Sequence, residues 1–206
     1  MTTIPRPEHP RPDFQRPDWL NLNGPWRFAF DPRAIGEQER WHRPYGRPKP
    51  LTIIVPFPWE SRLSGLGATD YKGAAWYERE ITIPPEWEGK RVFLHFGAVD
   101  WSARVWLNGR LVAEHANGYL PFSAELTGRL RPGQTGTLTV RAYDIADPAN
   151  PVGKQVPRWY THTSGIWQTV WLEVRAPSHV QHCRLTPDLP GERVQVQLSL
   201  DIAFSV

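Results

Sequence analysis

Apolar positions along this 206-residue chain recur with a period of two far more often than with the period of a helix. Trp26, Phe28 and Phe30 alternate with Arg27 and Ala29 directly after the Asn23-Gly24 pair, which predicts a half-buried strand over 25–30. The same reasoning predicts strands at 52–55, 75–83, 91–97, 102–107, 111–115, 137–143, 166–175, 180–186 and 193–203. Turn-forming residues separate them, as in Pro84-Pro85, Gly97, Asn108-Gly109 and Pro132-Gly133. In Val105-Trp106-Leu107-Asn108-Gly109-Arg110-Leu111-Val112, Asn-Gly between two apolar runs calls for a two-residue type I′ hairpin, because both central residues must take positive φ. No dozen-residue window keeps an apolar stripe at i, i+3, i+4 and i+7 without meeting Pro or Gly. The fold class is therefore all-β, an antiparallel sandwich or barrel.

Two stretches depart from this pattern. Prolines at positions 5, 7, 10, 12 and 17 sit among charged residues and resist both helix and sheet, so 1–18 reads as an extended Pro-rich arm strapped over the domain. Near Ala176-Pro177-Ser178 the Trp-rich composition ends, and Val194, Val196, Leu198 and Leu200 then alternate with Gln195, Gln197 and Ser199. The body is thus 19–176, and 177–206 is expected to begin a second β domain. A two-stranded piece is marginal in water. The tail from 178 to 206 is accordingly expected to be poorly anchored and to promote association through bare strand edges, so that its deletion improves solubility.

Composition narrows the function classes. The chain holds 11 Trp, 8 Phe and 6 Tyr, enough to fill a thick core or to supply stacking platforms for sugars. Trp26, Trp76, Trp101, Trp106, Trp167 and Trp171 lie in strand-like stretches and read as core or sheet-face packing, and Trp59 as a core plug. A net charge of +3 with interspersed signs gives no footprint for nucleic acid. Cys183 is the one cysteine, so neither an internal disulfide nor a Cys-rich metal cluster is expected. The opening Met1-Thr2-Thr3-Ile4-Pro5-Arg6-Pro7 carries no signal-like apolar run, which leads to the expectation of a cytoplasmic location with no membrane partner.

Seven blocks in order resemble those that open family 2 glycoside hydrolases, the group of the β-galactosidases, β-glucuronidases and β-mannosidases. They are Asn21-Leu22-Asn23-Gly24-Pro25-Trp26-Arg27-Phe28, Val55-Pro56-Phe57-Pro58-Trp59-Glu60, Trp76-Tyr77-Glu78-Arg79 with Ile83-Pro84, Phe96-Gly97-Ala98-Val99-Asp100, Val105-Trp106-Leu107-Asn108-Gly109, Gly118-Tyr119-Leu120-Pro121-Phe122, and Ser164-Gly165-Ile166-Trp167-Gln168-Thr169-Val170-Trp171-Leu172-Glu173. The resemblance implies a jelly-roll, galactose-binding-like sandwich to about 176 and the start of an immunoglobulin-like sandwich near Ser178. In the family a (β/α)₈ barrel then carries two glutamates, an acid/base and a nucleophile, which retaining chemistry sets about 5 to 5.5 Å apart. The expected partners are thus a β-glycoside and the further immunoglobulin-like and barrel domains.

The chain itself shows no catalytic constellation. Glu60, Asp70, Asp100, Asp144 and Asp147 read as solvated or capping groups, and no nucleophile elbow is present. His95, His115, His162, His179 and His182 lack metal-site spacing, so neither metal nor cofactor is expected. The candidate sugar-facing residues are Lys154, Gln155, Trp159, Tyr160 and His162, which mix aromatic faces with polar groups in one loop, and Asp70 beside Tyr71. By resemblance, the loop before the Ser-Gly-Ile block reaches the barrel's active site and offers an aspartate. Trp159 stands at that position here, which favours stacking over a carboxylate contact. Two functions follow: a non-catalytic domain that shapes the cleft of a larger hydrolase, or an autonomous carbohydrate-binding module.

Overall fold

The computed structural model describes residues 4–44, 46–145 and 160–202. Its strands, in chain order, are β1 (Trp19–Asn21), β2 (Gly24–Asp31), β3 (Leu51–Val55), β4 (Gly73–Thr82), β5 (Arg91–Phe96), β6 (Val99–Asp100), β7 (Ser102–Leu107), β8 (Arg110–Ala116), β9 (Phe122–Glu125), β10 (Thr135–Asp144), β11 (Gly165–Ile166), β12 (Val170–Arg175), β13 (His179–Asp188) and β14 (Arg193–Asp201). A six-stranded antiparallel sheet, ordered β3-β2-β4-β10-β7-β8, packs on a four-stranded one, β1-β12-β5-β9. No helix among the described residues is long and apolar enough to cross a membrane.

Alternation dictates what lies between the sheets. Trp26, Phe28, Tyr77, Leu138 and Val140 from one sheet meet Leu94, Phe96 and Leu172 from the other, all virtually inaccessible to solvent. Phe28 and Tyr77 touch edge to face at 4.9 Å, an arrangement that adds to simple burial. The Asn108-Gly109 turn is type I′ as its sequence requires, with φ of 51° and 77°.

Two tryptophans of the opposite parity, Trp76 and Trp106, do not face water either. Trp76 pairs with Ala29 and Arg141 across the six-stranded sheet and so lies on its outer face, as does Trp106. The crossing segment 32–50 covers them: Trp41 packs on Trp76 at 5.9 Å, Trp76 stacks on Trp106 at 5.4 Å, and His42 stacks on Trp106 at 5.0 Å. Gly36 is required beneath this segment, since a Cβ there would lie 2.5 Å from the Trp76 indole nitrogen. Trp171 occupies the outer face of the four-stranded sheet, and only Trp26 of the strand tryptophans lies in the inter-sheet core.

The stretch 166–175, expected as one strand, is two. The chain leaves β11 at Trp167 and enters β12 at Val170 because Gly97 closes against it, donating to the Thr169 carbonyl at 2.9 Å. A Cβ on Gly97 would meet Gln168 Cβ at 2.6 Å, so only glycine permits the approach. The short strands β1, β6 and β9 lie outside the segments that alternation predicts, because each carries too few residues to display it.

Residues 4–18 run as an arm with a single 3₁₀ turn at Pro12–Phe14. At the other end, β13 and β14 form an isolated hairpin. It is tied to the body by Arg91 to Asp201 at 2.9 Å and by Arg16 donating to the Val180 carbonyl at 2.7 Å.

Candidate functional site

The segment expected to meet sugar lies in the sequence between the end of β10 at Asp144 and Ser164. Lys154, Gln155 and Trp159 lie outside the described residues. Tyr160 is 61 % exposed and Asp70 is exposed, while His162 is half-buried. Burial and the Lys72 ammonium hold the His162 imidazole below its usual pKa, with Asp144 opposing. Its neighbours therefore bring His162 close to the Asp70–Lys72 turn.

A buried polar neck holds the segment's two ends together. Ser164 donates its hydroxyl to Asp144 at 2.8 Å, bridging residues that flank the whole excursion. Its backbone N–H donates to Glu60 Oε2 at 3.1 Å, and the Ile166 N–H donates to the Tyr77 hydroxyl at 3.3 Å. Glu60 arrives here because the turn after β3 places Trp59 wholly in the core and carries the next residue in with it. Asp144 arrives because it ends β10 on the same parity as Leu138, Val140 and Ala142, which all point inward. Gly165 completes the neck with φ of 75°. A Cβ there would fall 2.1 Å from the Tyr77 oxygen and 2.8 Å from the Trp59 ring.

Of the acids expected to be solvated or capping, Asp70 is exposed and Asp147 lies outside the described residues, but three others are not solvated. Glu60, Asp100 and Asp144 are each 5 % exposed or less. Acids survive at such depth only when backbone or side-chain donors replace water. For Asp100 the room comes from Gly118, where a Cβ would lie 2.3 Å from the carboxylate. Gly118 in turn accepts a hydrogen bond from the Trp167 indole at 2.7 Å, and Trp167 meets Tyr119 edge to face. Glu60 is compensated least. Its Oε1 has no hydrogen-bond partner among the described residues, and burial, aided by the nearby Asp144 charge, pushes its pKa up to about 7. Burial likewise pushes the Tyr77 phenol up.

The chemistry of this neck is one of holding. Each carboxyl faces a backbone N–H or a hydroxyl of the returning chain, and a neutral or half-neutral Glu60 can donate as well as accept. Among the described residues no three His, Cys, Asp or Glu side chains converge to hold a metal.

Comparison with known proteins places this architecture. Residues 20–176 match the family model described as "Glycosyl hydrolases family 2, sugar binding domain". The chain is 29 % identical over 202 residues to a protein from Paenibacillus borealis named Beta-glucuronidase, covering 88 % of this chain and 33 % of that protein. It is 37 % identical over 122 residues to the Beta-glucuronidase of Felis catus, covering 54 % and 18 %. A solved β-glucuronidase from Ruminococcus gnavus in complex with D-glucaro-d-lactam superposes with a TM-score of 0.76 at 26 % identity, over 91 % of this chain and 35 % of that one. The chain thus spans about a third or less of the length of these relatives. By the family match and by its sandwich, the chain belongs to glycosyl hydrolase family 2, with residues 20–176 as the sugar-binding domain.

Proposed function

We propose that this chain serves a retaining β-glycosidase as its N-terminal, non-catalytic sandwich, which shapes one wall of a substrate cleft built mainly by other domains. The observation that carries the reading is the neck formed by Glu60, Tyr77, Asp144 and Ser164. It ties Asp144 to Ser164, the two residues that flank the segment bearing Lys154, Gln155, Trp159, Tyr160 and His162, and in this proposal that segment faces a neighbouring domain. A wall of this kind needs a rigid root more than a reactive group, since misplacement by about 1 Å is enough to cost catalysis in the domain it serves. The names of the relatives make a β-glucuronide the first substrate class to test.

The hairpin supports the same reading. On one of its faces Val180, Cys183, Leu185 and Pro187 pair with Leu200, Leu198, Val196 and Val194, and these side chains are largely exposed. In this proposal that face belongs to a second, immunoglobulin-like sandwich. The test is to assay the purified 206-residue chain on aryl β-glucuronide, β-galactoside and β-mannoside, and to titrate it calorimetrically with the matching sugars. No turnover, and no saturable binding that Tyr160→Ala abolishes, is the expected result. Sustained turnover would refute the non-catalytic role, and binding abolished by Tyr160→Ala would turn the reading into an autonomous module.

A further inference from the structure

The outer face of the four-stranded sheet is not the polar surface that its exposure to the arm side would lead one to expect. Leu94 and Leu172 point into the core, so their neighbours His95, Trp171, Glu173 and Arg175 point outward under residues 9–16. Trp171 is nonetheless 3 % exposed, and His95 stacks on it with ring centres 4.7 Å apart. Between arm and sheet remains a cavity of about 190 Å³, lined by Arg11, Phe14, His95, Phe122, Trp171 and Arg175 among others. That is below the range of about 300–1,000 Å³ that drug-sized ligands occupy, and suits a single ring.

Three features equip this cavity for an anion. The Trp171 indole N–H has no hydrogen-bond partner among the described residues, an expensive state for a buried donor. Arg11 gives one N–H to Asp13, and Arg175 gives two to Glu173 and His95, so both guanidinium groups keep donors unspent. Glu173, the carboxylate in the lining, is already held by Arg16 and Arg175 at 2.9 Å each and leaves the local balance positive. Phe14, half-buried on the arm, supplies the aromatic side of the lining for a flat or chair-shaped body.

We propose that this cavity binds a small organic carboxylate carried on a ring, with the carboxylate on the Arg11 and Arg175 guanidinium groups and the Trp171 N–H, and the ring against Phe14 of the arm. Guanidinium and carboxylate match as a planar, bidentate pair, and the pairing strengthens where water is excluded. The site lies on the sheet face under the arm, apart from the neck at Ser164, and does not depend on the glycosidase reading.

The test is an NMR titration of the isotopically labelled 206-residue chain with sodium benzoate, sodium glucuronate and neutral methyl glucoside, the Trp171 indole signal being assigned with Trp171→Phe. Saturable shifts of the Trp171 indole and His95 ring signals with either carboxylate, and none with methyl glucoside, are expected. Which carboxylate binds tells whether the ring is an aromatic or a sugar. Arg11→Gln, at an exposed arm position, should keep the folded spectrum and weaken the carboxylate about tenfold, the value of one charge-assisted hydrogen bond. Shifts that never saturate, equal binding of the neutral glycoside, or unchanged affinity in Arg11→Gln would each overturn the proposal.

Discussion

Rising pH should weaken this domain through Glu60. Its folded-state pKa stands at about 7 against 4.5 for an unburdened carboxyl, because burial penalises the charged form more than the Ser164 hydrogen bonds favour it. A group whose pKa is raised on folding contributes stability that is complete below pH 4.5 and is lost as pH climbs through about 7. At about 1.4 kcal/mol per unit, the loss between those limits approaches roughly 3 kcal/mol. For a chain of this size each kcal/mol moves Tm by about 2–4 °C, so the effect is worth about 6–12 °C. Glu60→Gln keeps an oxygen for the Ser164 N–H and removes the charge. It should therefore raise Tm at pH 8 and change it little at pH 4.5. The comparison must be a difference between the two proteins, because His95 acts in the opposite sense. Burial, against the favourable Glu173 charge, holds its pKa down at about 4, so its contribution is present above pH 6.5 and is lost as pH falls toward 4. Calorimetric melts of both proteins at half-unit steps from pH 4.5 to 8 provide the difference curve. A curve that is flat, or a Glu60→Gln protein less stable than wild type at pH 8, would refute the placement of an ionising, under-compensated carboxyl at the neck.

Further outcomes follow from the packing. Gly165→Ala combines a positive φ with a clash against Tyr77 and Trp59, and should cost about 2–4 kcal/mol in urea unfolding; a loss under about 1 kcal/mol would mean that the neck yields easily. Trp76→Ala should cost about 3–5 kcal/mol despite lying outside the inter-sheet core, because segment 32–50 buries it fully; a surface-like change in denaturation midpoint would count against that cover. Leu198→Lys, on the open face of the hairpin, should reduce concentration-dependent association in sedimentation with little change in Tm, and so should removal of 178–206. Lower solubility after that removal would show the hairpin to be protective.

Much of the sandwich is written in local pattern. Trp26-Arg27-Phe28-Ala29-Phe30 states a strand and its inward face, and Asn108-Gly109 states a hairpin and its turn type, since each depends only on side-chain parity or on the φ that two adjacent residues tolerate. The family blocks are equally linear. Asp144 was read as solvated or capping, and a strand one residue longer than 137–143 would have placed it on the inward parity of Leu138, Val140 and Ala142. What the sequence left open is whatever one segment does to a distant one. Trp76 and Trp106 have outward parity, and only the crossing of 32–50 over that face decides that they are buried. Glu60 looks like an ordinary turn acid until Trp59 pulls it under the returning Ser164, more than 100 residues away. The break at 167–169 depends on Gly97 from another strand, and the cavity at Trp171 exists because the arm passes over it. Parity and turn chemistry are properties of neighbours along the chain, whereas burial and charge state belong to neighbours in space, so the first can be read before folding and the second only after it.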